Sequence, residues 1–154
     1  MHTISKLSWD DVLPIWKQQL WPTRTSPIET HSAMTWPFEG NPAPYDINIF
    51  NYPVTYLGAI QDGKIIGTFS GFKTTDTQYR LRGAWVDAAY RKQGVLTSII
   101  HELHSQAIAE GAKMVWCTPR KSSYSLYLKL GYTTRGDFFG SETSDANIYV
   151  TKEL

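Results

Sequence analysis

Tyr90-Arg91-Lys92-Gln93-Gly94-Val95-Leu96 is the stretch on which the fold turns, because the hydrophobic period changes across it. Before it, residues 54–60, 64–72 and 78–86 read as strands; after it, Val95, Leu96, Ile99, Ile100, Leu103 and Ala107 recur at helical spacing. A chain crossing from strand to helix leaves the first helical N–H groups unpaired and pointing outward. With the positive end of the helix dipole behind them, they form a site for phosphate. Gly94 permits close backbone approach, and Arg91 and Lys92 add two cations at the rim. The loop alone supports an anion site and no more, since a basic turn with one glycine is common. Neither the Walker pattern nor the dinucleotide glycine fingerprint is present, which argues against kinases and nicotinamide enzymes.

Working outward, Gln61-Asp62-Gly63 joins the first two of these strands as a hairpin, and Thr74-Thr75-Asp76 leads into the third. Downstream, Gly111 is the expected C-cap of the long helix, followed by a strand over 113–118. Ser122-Ser123 opens a brief helix through Leu130 that Gly131 ends; strands over 132–139 and 148–152 follow, separated by a polar loop over 140–147. Upstream, residues 4–7 form a short strand and Ser8-Trp9-Asp10-Asp11 reads as a helix N-cap with an acid three residues on. That helix runs to about residue 20, and Pro14 leaves its start open. Residues 21–53 hold six of the eight prolines, mixed with aromatics, and make the candidate substrate-side wall. A short helix over 28–35, capped by Ser26 with Pro27 at its first position, is expected inside that segment. The order β-α-(loop/α)-β-β-β-α-β-α-β-β describes an α/β (α+β) sandwich around a mostly antiparallel sheet.

Composition narrows the classes. A chain of 154 residues, 42% hydrophobic and 19% charged, is expected to fold as one globular domain over 1–154. A net charge of +1 gives no footprint for nucleic acid or an anionic membrane. No run of about 18 apolar residues occurs, and the start lacks the apolar stretch of a signal peptide, so the expectation is a cytoplasmic protein. Cys117 is the single cysteine, which rules out an internal disulfide. It reads as a small buried hydrophobe. His101 and His104 lie three apart on the long helix, but no carboxylate–histidine set completes a metal site, so no metal is expected.

The stretch Ala84-Trp85-Val86-Asp87-Ala88-Ala89-Tyr90-Arg91-Lys92-Gln93-Gly94-Val95-Leu96 resembles the acetyl-CoA signature of the GNAT superfamily of N-acetyltransferases. Ser125-Leu126-Tyr127-Leu128-Lys129-Leu130-Gly131-Tyr132 looks like that family's late helix, and the two motifs stand in family order over roughly 54–132. The resemblance implies a three-layer sandwich with a mixed sheet of about six to seven strands flanked by helices. It implies acetyl-CoA as co-substrate, its pyrophosphate held by backbone N–H groups from Gln93, Gly94, Val95, Leu96 and Thr97 with Arg91 and Lys92 beside them. Trp85 and Val86 would pair through their backbone with the pantetheine arm, in the gap where this strand splays from the one over 113–118. Three positions depart from the pattern. Leu96 stands where a second glycine or alanine is usual, Arg120 replaces an asparagine before the late helix, and Ser123 replaces an alanine. Arg120 and Ser123 are carried as cofactor-side candidates.

Acyl transfer to an amine needs a neutral amine, a polarised carbonyl and a proton for the departing thiolate. The amine has a pKa of about 10.4 and the thiol one of about 8.5, so a phenol near 10 suits the last task. Tyr127 matches the family's tyrosine in that role, and a backbone N–H near Val86 would polarise the carbonyl. Glu29, His31 and Asp87 are the candidate bases, each with a surface or capping role as the plainer reading. Arg80 and Arg82, two apart on a strand, share a face and could clamp a carboxylate or phosphate, or form a solvated edge pair. Arg24, Glu29, His31, Trp36 and Tyr45 are the remaining acceptor-side candidates. The resemblance implies that the acceptor is an amine of a small molecule or peptide. A catalytically degenerate CoA-binding or protein-interaction module is the competing reading, and the C-terminal strands could pair at an edge to make a homodimer.

Overall fold

The structure is a computed structural model, and it describes residues 1–39, 43–140 and 145–154. Parts of the segment 21–53 and of the polar loop 140–147 therefore lie outside the described residues. Seven strands form one sheet: β1 (Thr3–Leu7), β2 (Val54–Gln61), β3 (Lys64–Lys73), β4 (Gln78–Val86), β5 (Met114–Cys117), β6 (Thr133–Phe139) and β7 (Asn147–Glu153). Their order is β1-β2-β3-β4-β5-β7-β6, and β4–β5 is the one parallel pair. The expected mixed, mostly antiparallel sheet is what forms. Its two edges are β1 and β6; β7 lies inside, so only the first of the two C-terminal strands offers an open edge.

Local chemistry sets most boundaries. Asp62 (φ 53°) and Gly63 (φ 73°) form a two-residue turn with both residues left-handed, the geometry that matches strand twist in a hairpin. The helix α2 (Val95–Ala109) ends at Gly111 (φ 87°), whose N–H donates to the Ile108 carbonyl while that of Ala112 donates to Ala107, a closed Schellman arrangement. The short helix α3 (Tyr124–Lys129) stops at Gly131 (φ 93°) by the same device. Ser8 caps α1 (Trp9–Ile15) in a full capping box with Asp11. Pro14 lies inside α1 rather than at its start, and the chain continues as a wider π turn over Trp16–Leu20.

The helix expected over 28–35 does not form. A helix there would need the carbonyls of Pro27, Glu29 and Thr30. Each is already taken: Arg24 Nη2 donates to Pro27, Arg82 Nη1 to Glu29 and the Tyr56 hydroxyl to Thr30. Arg24 Nε also donates to the Ser26 hydroxyl, the intended cap. The one regular element in the described part of this segment is instead a 3-10 helix at Ile47–Asn51, capped by the Asp46 carboxylate on Asn48 N–H.

The two sheet faces carry different layers. Leu57, Ala59, Ile66, Phe69, Tyr79 and Leu81 pack under α2, while Cys117, Ile148 and Val150 pack with Tyr127 of α3 in the same apolar core. On the opposite face Val12, Trp16 and Tyr56 form a second, smaller cluster with α1 and residues 21–28. These layers make the three-layer sandwich.

Candidate active site

Two features of β4 prepare the site. Between Ser70↔Arg82 and Thr68↔Trp85, β4 spends one residue more than β3, a bulge at Gly83–Ala84. Gly83 adopts φ 85°, and a Cβ there would stand 2.1 Å from the buried Trp16 ring. No other residue type fits. Because of the extra residue, Leu81 and then Ala84 and Val86 turn toward the α2 core, leaving Arg80, Arg82 and Trp85 on the other face.

The second feature is separation. β4 pairs with β5 only at Gln78↔Met114, Tyr79↔Val115 and Arg80↔Trp116, although β4 continues to Val86. Beyond Arg80 its β5-side edge is open. Asp87 N–H is spent on the Ile66 carbonyl across the β3 side, so strand alternation turns the Val86 N–H into the gap. The Val86 carbonyl on that edge accepts from Arg91 Nε at 3.1 Å.

The strand ends in a short turn at Ala88–Tyr90 whose first N–H groups are capped by Asp87, which accepts from Ala89 N–H at 3.0 Å. Asp87 also pairs with Lys64 at 3.2 Å, and the Ala89 amide and Lys64 hold its carboxyl below the usual range. It is thus committed to the turn rather than to proton transfer. Lys92 (φ 60°) and Gly94 (φ 77°) then bend the chain left-handed into α2. No side chain caps that helix, so the N–H groups of Val95, Leu96 and Thr97 face outward, and a Cβ at Gly94 would meet nothing within 4 Å. Lys92 and Gln93 are exposed, with Gln93 Nε2 donating to the Ala89 carbonyl at 3.3 Å. Leu96, the departure in the motif, turns its side chain against the α2 core and leaves the mouth of the loop clear. Arg120 is exposed, 3.8 Å from Asp145, and Ser123 donates back to the Arg120 carbonyl at 3.4 Å.

Tyr127 is 2% exposed, edge-on to Tyr132 with ring centroids 5.5 Å apart. Burial, the Cys117 thiol and the Tyr132 phenol push its hydroxyl well above the ordinary value, so it stays protonated. Cys117 is buried and its thiol is likewise pushed up by burial, which makes it inert as a nucleophile. His104 bonds the Tyr132 hydroxyl from the outer side of α2, while His101 is exposed. Among the described residues no group of three or more His, Cys, Asp or Glu is placed to hold a metal.

On the opposite face of the gap the structure gathers rings from three distant places. Trp36 lies 5.6 Å from Trp116 and 5.8 Å from Tyr149, and Phe38 packs against Trp36 at 4.8 Å. Phe139 stacks on Tyr149 at 4.8 Å. Arg135 lies over Phe38 and pairs with Glu39 at 2.7 Å. Trp36 was legible as a candidate; Trp116, Tyr149 and Phe38 were not. The readable signal was alternation, since Trp116 lies between inward Val115 and Cys117, and Tyr149 between Ile148 and Val150.

Other candidates are spread along this wall. His31 is buried between Phe50 and Phe72, with Nε2 donating to the Tyr52 carbonyl and Nδ1 bonded to the Thr30 hydroxyl, both at 2.8 Å. With both nitrogens engaged it latches the loop and has no lone pair to offer as a base. The Glu29 carboxylate is exposed while its carbonyl anchors Arg82. Arg82 also sits 5.2 Å from the Trp16 and Trp21 ring centroids, and Arg24 lies over Trp21 at 5.9 Å. Tyr45 is exposed. Arg80 and Arg82 do share a face, and burial lowers both guanidinium pKa values to about 10.

Residues 16–132 match the model of the acetyltransferase (GNAT) family. The uncharacterized N-acetyltransferase YitI of Bacillus subtilis (strain 168) is 30% identical over 105 residues, spanning 64% of this chain and 70% of that protein. Among solved structures, an aminoglycoside 6'-N-acetyltransferase complexed with coenzyme A superposes with a TM-score of 0.68 at 13% identity, over 98% of this chain and 96% of that one. The ribosomal-protein-S18-alanine N-acetyltransferase of Escherichia coli gives 0.64 at 20% identity, over 99% and 94%. At these identities the two structures are likenesses of fold.

Proposed function

Since the chain belongs to the GNAT family of acetyltransferases, we propose that it transfers acetyl from acetyl-CoA to a primary amine of a small molecule or peptide, with Tyr127 as general acid. The observation that carries this reading is the uncapped α2 N-terminus behind Gly94, set beside the open edge of β4. The first offers backbone N–H donors and a positive dipole to a pyrophosphate, with Lys92 and Arg91 at the rim. The second offers Val86 N–H and its neighbours to an extended amide-bearing arm, which would add to the sheet as a further strand. The aminoglycoside enzyme of the same fold was solved with coenzyme A.

Acetyl-CoA supplies the activated thioester; the chain's residues supply position, a donor and exclusion of water. The Val86 N–H, turned into the gap, is available to the acyl oxygen as charge develops there. Tyr127, kept protonated by burial, would donate a hydrogen bond to the sulfur and its proton to the thiolate once the C–S bond breaks; burial makes the phenol a weaker acid but equally makes a thiolate beside it a stronger base. The acceptor enters from the aromatic face. His31 and Asp87 are engaged by other partners, and Arg80 and Arg82 cannot accept a proton, so the amine loses its proton to solvent, directly or by way of the exposed Glu29 carboxylate. The guanidinium groups of Arg80 and Arg82 favour that loss, because like charge disfavours an ammonium.

Acetyl-CoA is expected to raise the melting temperature, and thiol release over a panel of amines to identify turnover. Tyr127→Phe is expected to slow turnover by about 10²-fold or more while leaving acetyl-CoA affinity unchanged. No thermal shift would sink the cofactor assignment, and an unslowed Tyr127→Phe would sink the acid. A thermal shift with no thiol release from any amine would point to the CoA-binding module without turnover.

A further inference from the structure

Of the six arginines, five have an oxygen partner: Arg24 with Ser26, Arg82 with the Glu29 carbonyl, Arg91 with the Val86 carbonyl, Arg120 with Asp145 and Arg135 with Glu39. Arg80 is the exception among the described residues. It is 7% exposed, and its Nε and Nη1 atoms have no hydrogen-bond partner. Its one strong contact is the Trp116 ring, 4.8 Å below the guanidinium. The charge that acts on it most strongly is Arg82, of the same sign, and Arg24 acts likewise on Arg82. A buried cation without a counter-charge is costly in a folded chain, and arginine cannot shed its proton to escape the cost.

We infer that Arg80 is the carboxylate-binding residue of the acceptor pocket, so that the acceptor is an amine that also carries a carboxylate. The inference rests on the acetyltransferase reading only for the word acceptor; the anion site itself does not. Position agrees with it. Arg80 is the last β4 residue paired with β5, so its guanidinium stands where the gap begins, on the face opposite α2. Trp116 lies against the guanidinium and packs on Trp36 and Tyr149, an aromatic cluster beside Arg80 that suits the flat or apolar body of such a molecule. Free donors select the anion: Arg82 Nη1 is taken by the Glu29 carbonyl, which leaves Nε and Nη1 of Arg80 as the unpartnered buried guanidinium donors, enough for one carboxylate. A phosphate dianion would ask for more donors than remain.

The test uses the full chain without acetyl-CoA, so that failure of the acetyltransferase reading cannot disguise the result. Tryptophan fluorescence is followed while phenylacetate is titrated, then phenylacetamide as its neutral counterpart, then inorganic phosphate. Phenylacetate is expected to saturate at least tenfold tighter than phenylacetamide, with the difference lost in Arg80→Met and partly kept in Arg80→Lys, both checked for folding by circular dichroism. Equal affinity for the two probes, or a difference that survives in Arg80→Met, overturns the site. Tighter binding of phosphate than of phenylacetate overturns the carboxylate assignment. With acetyl-CoA added, amino acids should outpace their amides mainly through KM, and that preference should collapse in Arg80→Met; a preference carried by kcat, or surviving the substitution, overturns the positioning role.

Discussion

Gly83 sits where a single methyl group would act on both the backbone and the core. In Gly83→Ala the new Cβ would lie 2.1 Å from Cζ2 and 2.3 Å from Cε2 of Trp16, so the ring must retreat by more than an ångström to reach ordinary contact at 3.4 Å. Trp16 is fully buried and boxed in by Trp9, Trp21 and Tyr56, so it has nowhere to go. Overpacking of this kind costs about 1–3 kcal/mol. The left-handed φ of 85° adds about 1–2 kcal/mol for a residue with a Cβ. The expected loss is about 2–5 kcal/mol, a large share of the roughly 5–15 kcal/mol available to a domain. Gly94→Ala is the control: its φ is 77° but its Cβ would meet nothing within 4 Å, so only the backbone part, about 1–2 kcal/mol, applies. Urea unfolding of both variants, with a constant slope, reads the difference directly. Trp16→Leu in the Gly83→Ala background should recover part of the loss, seen as a coupling of about 1 kcal/mol or more in a double-mutant cycle. If Gly83→Ala is no less stable than Gly94→Ala, or the cycle shows no coupling, the contact between bulge and ring is not what fixes β4. Gly94→Ala in turn should weaken acetyl-CoA binding, because its methyl group enters the mouth of the loop.

Arg80→Met should raise stability. Burial lowers the guanidinium pKa from 12.5 to about 10, on the order of 3 kcal/mol against the charged form, and the stack on Trp116 returns about 1–2 kcal/mol. A net gain of roughly 1–2 kcal/mol is a rise of a few degrees in Tm, and a fall in Tm would refute the unpaired-cation reading. His104 gives a pH dependence. Burial first, then His101 and Lys152, lower its pKa from 6.5 to about 4 in the folded protein, so the unfolded chain binds the extra proton between these values. Stability is therefore full above about 6.5 and is lost as pH falls toward 4; His104→Gln should flatten that slope, as measured by denaturation at stepped pH. Ser8→Ala removes the acceptor of Asp11 N–H in the capping box and should cost about 1 kcal/mol in the same assay.

The parts of the molecule that short-range chemistry decides were readable. The period change at Gly94, the Asp62-Gly63 turn and the stops at Gly111 and Gly131 depend on neighbours within a few residues. Residues 28–35 failed for the opposite reason: their carbonyls are claimed by Arg82 and Tyr56, some 26 to 53 residues away, as well as by Arg24 close by. His31 looked like a base for want of knowing that Tyr52 and Thr30 hold its two nitrogens. The proposed pyrophosphate loop is contiguous and could be read from its own spelling. The proposed acceptor wall draws on residues near 36, 80, 116 and 149, and no single window contains it. Gly83 stood in plain sight within a strand pattern, where a lone glycine signals a bulge or a close approach; here it is both.

The sheet acts as a partition with a doorway where β4 parts from β5. The proposed cofactor loop hangs on the α2 side, while the rings and arginines that would greet the acceptor hang on the other, and among the described residues the parting of β4 from β5 joins the two rooms. The furniture of one room can be exchanged without touching the other, provided the door frame of Gly83, Arg80 and Val86 keeps its shape. A new acceptor could thus be accommodated by rebuilding residues 21–53 while the cofactor side is inherited intact.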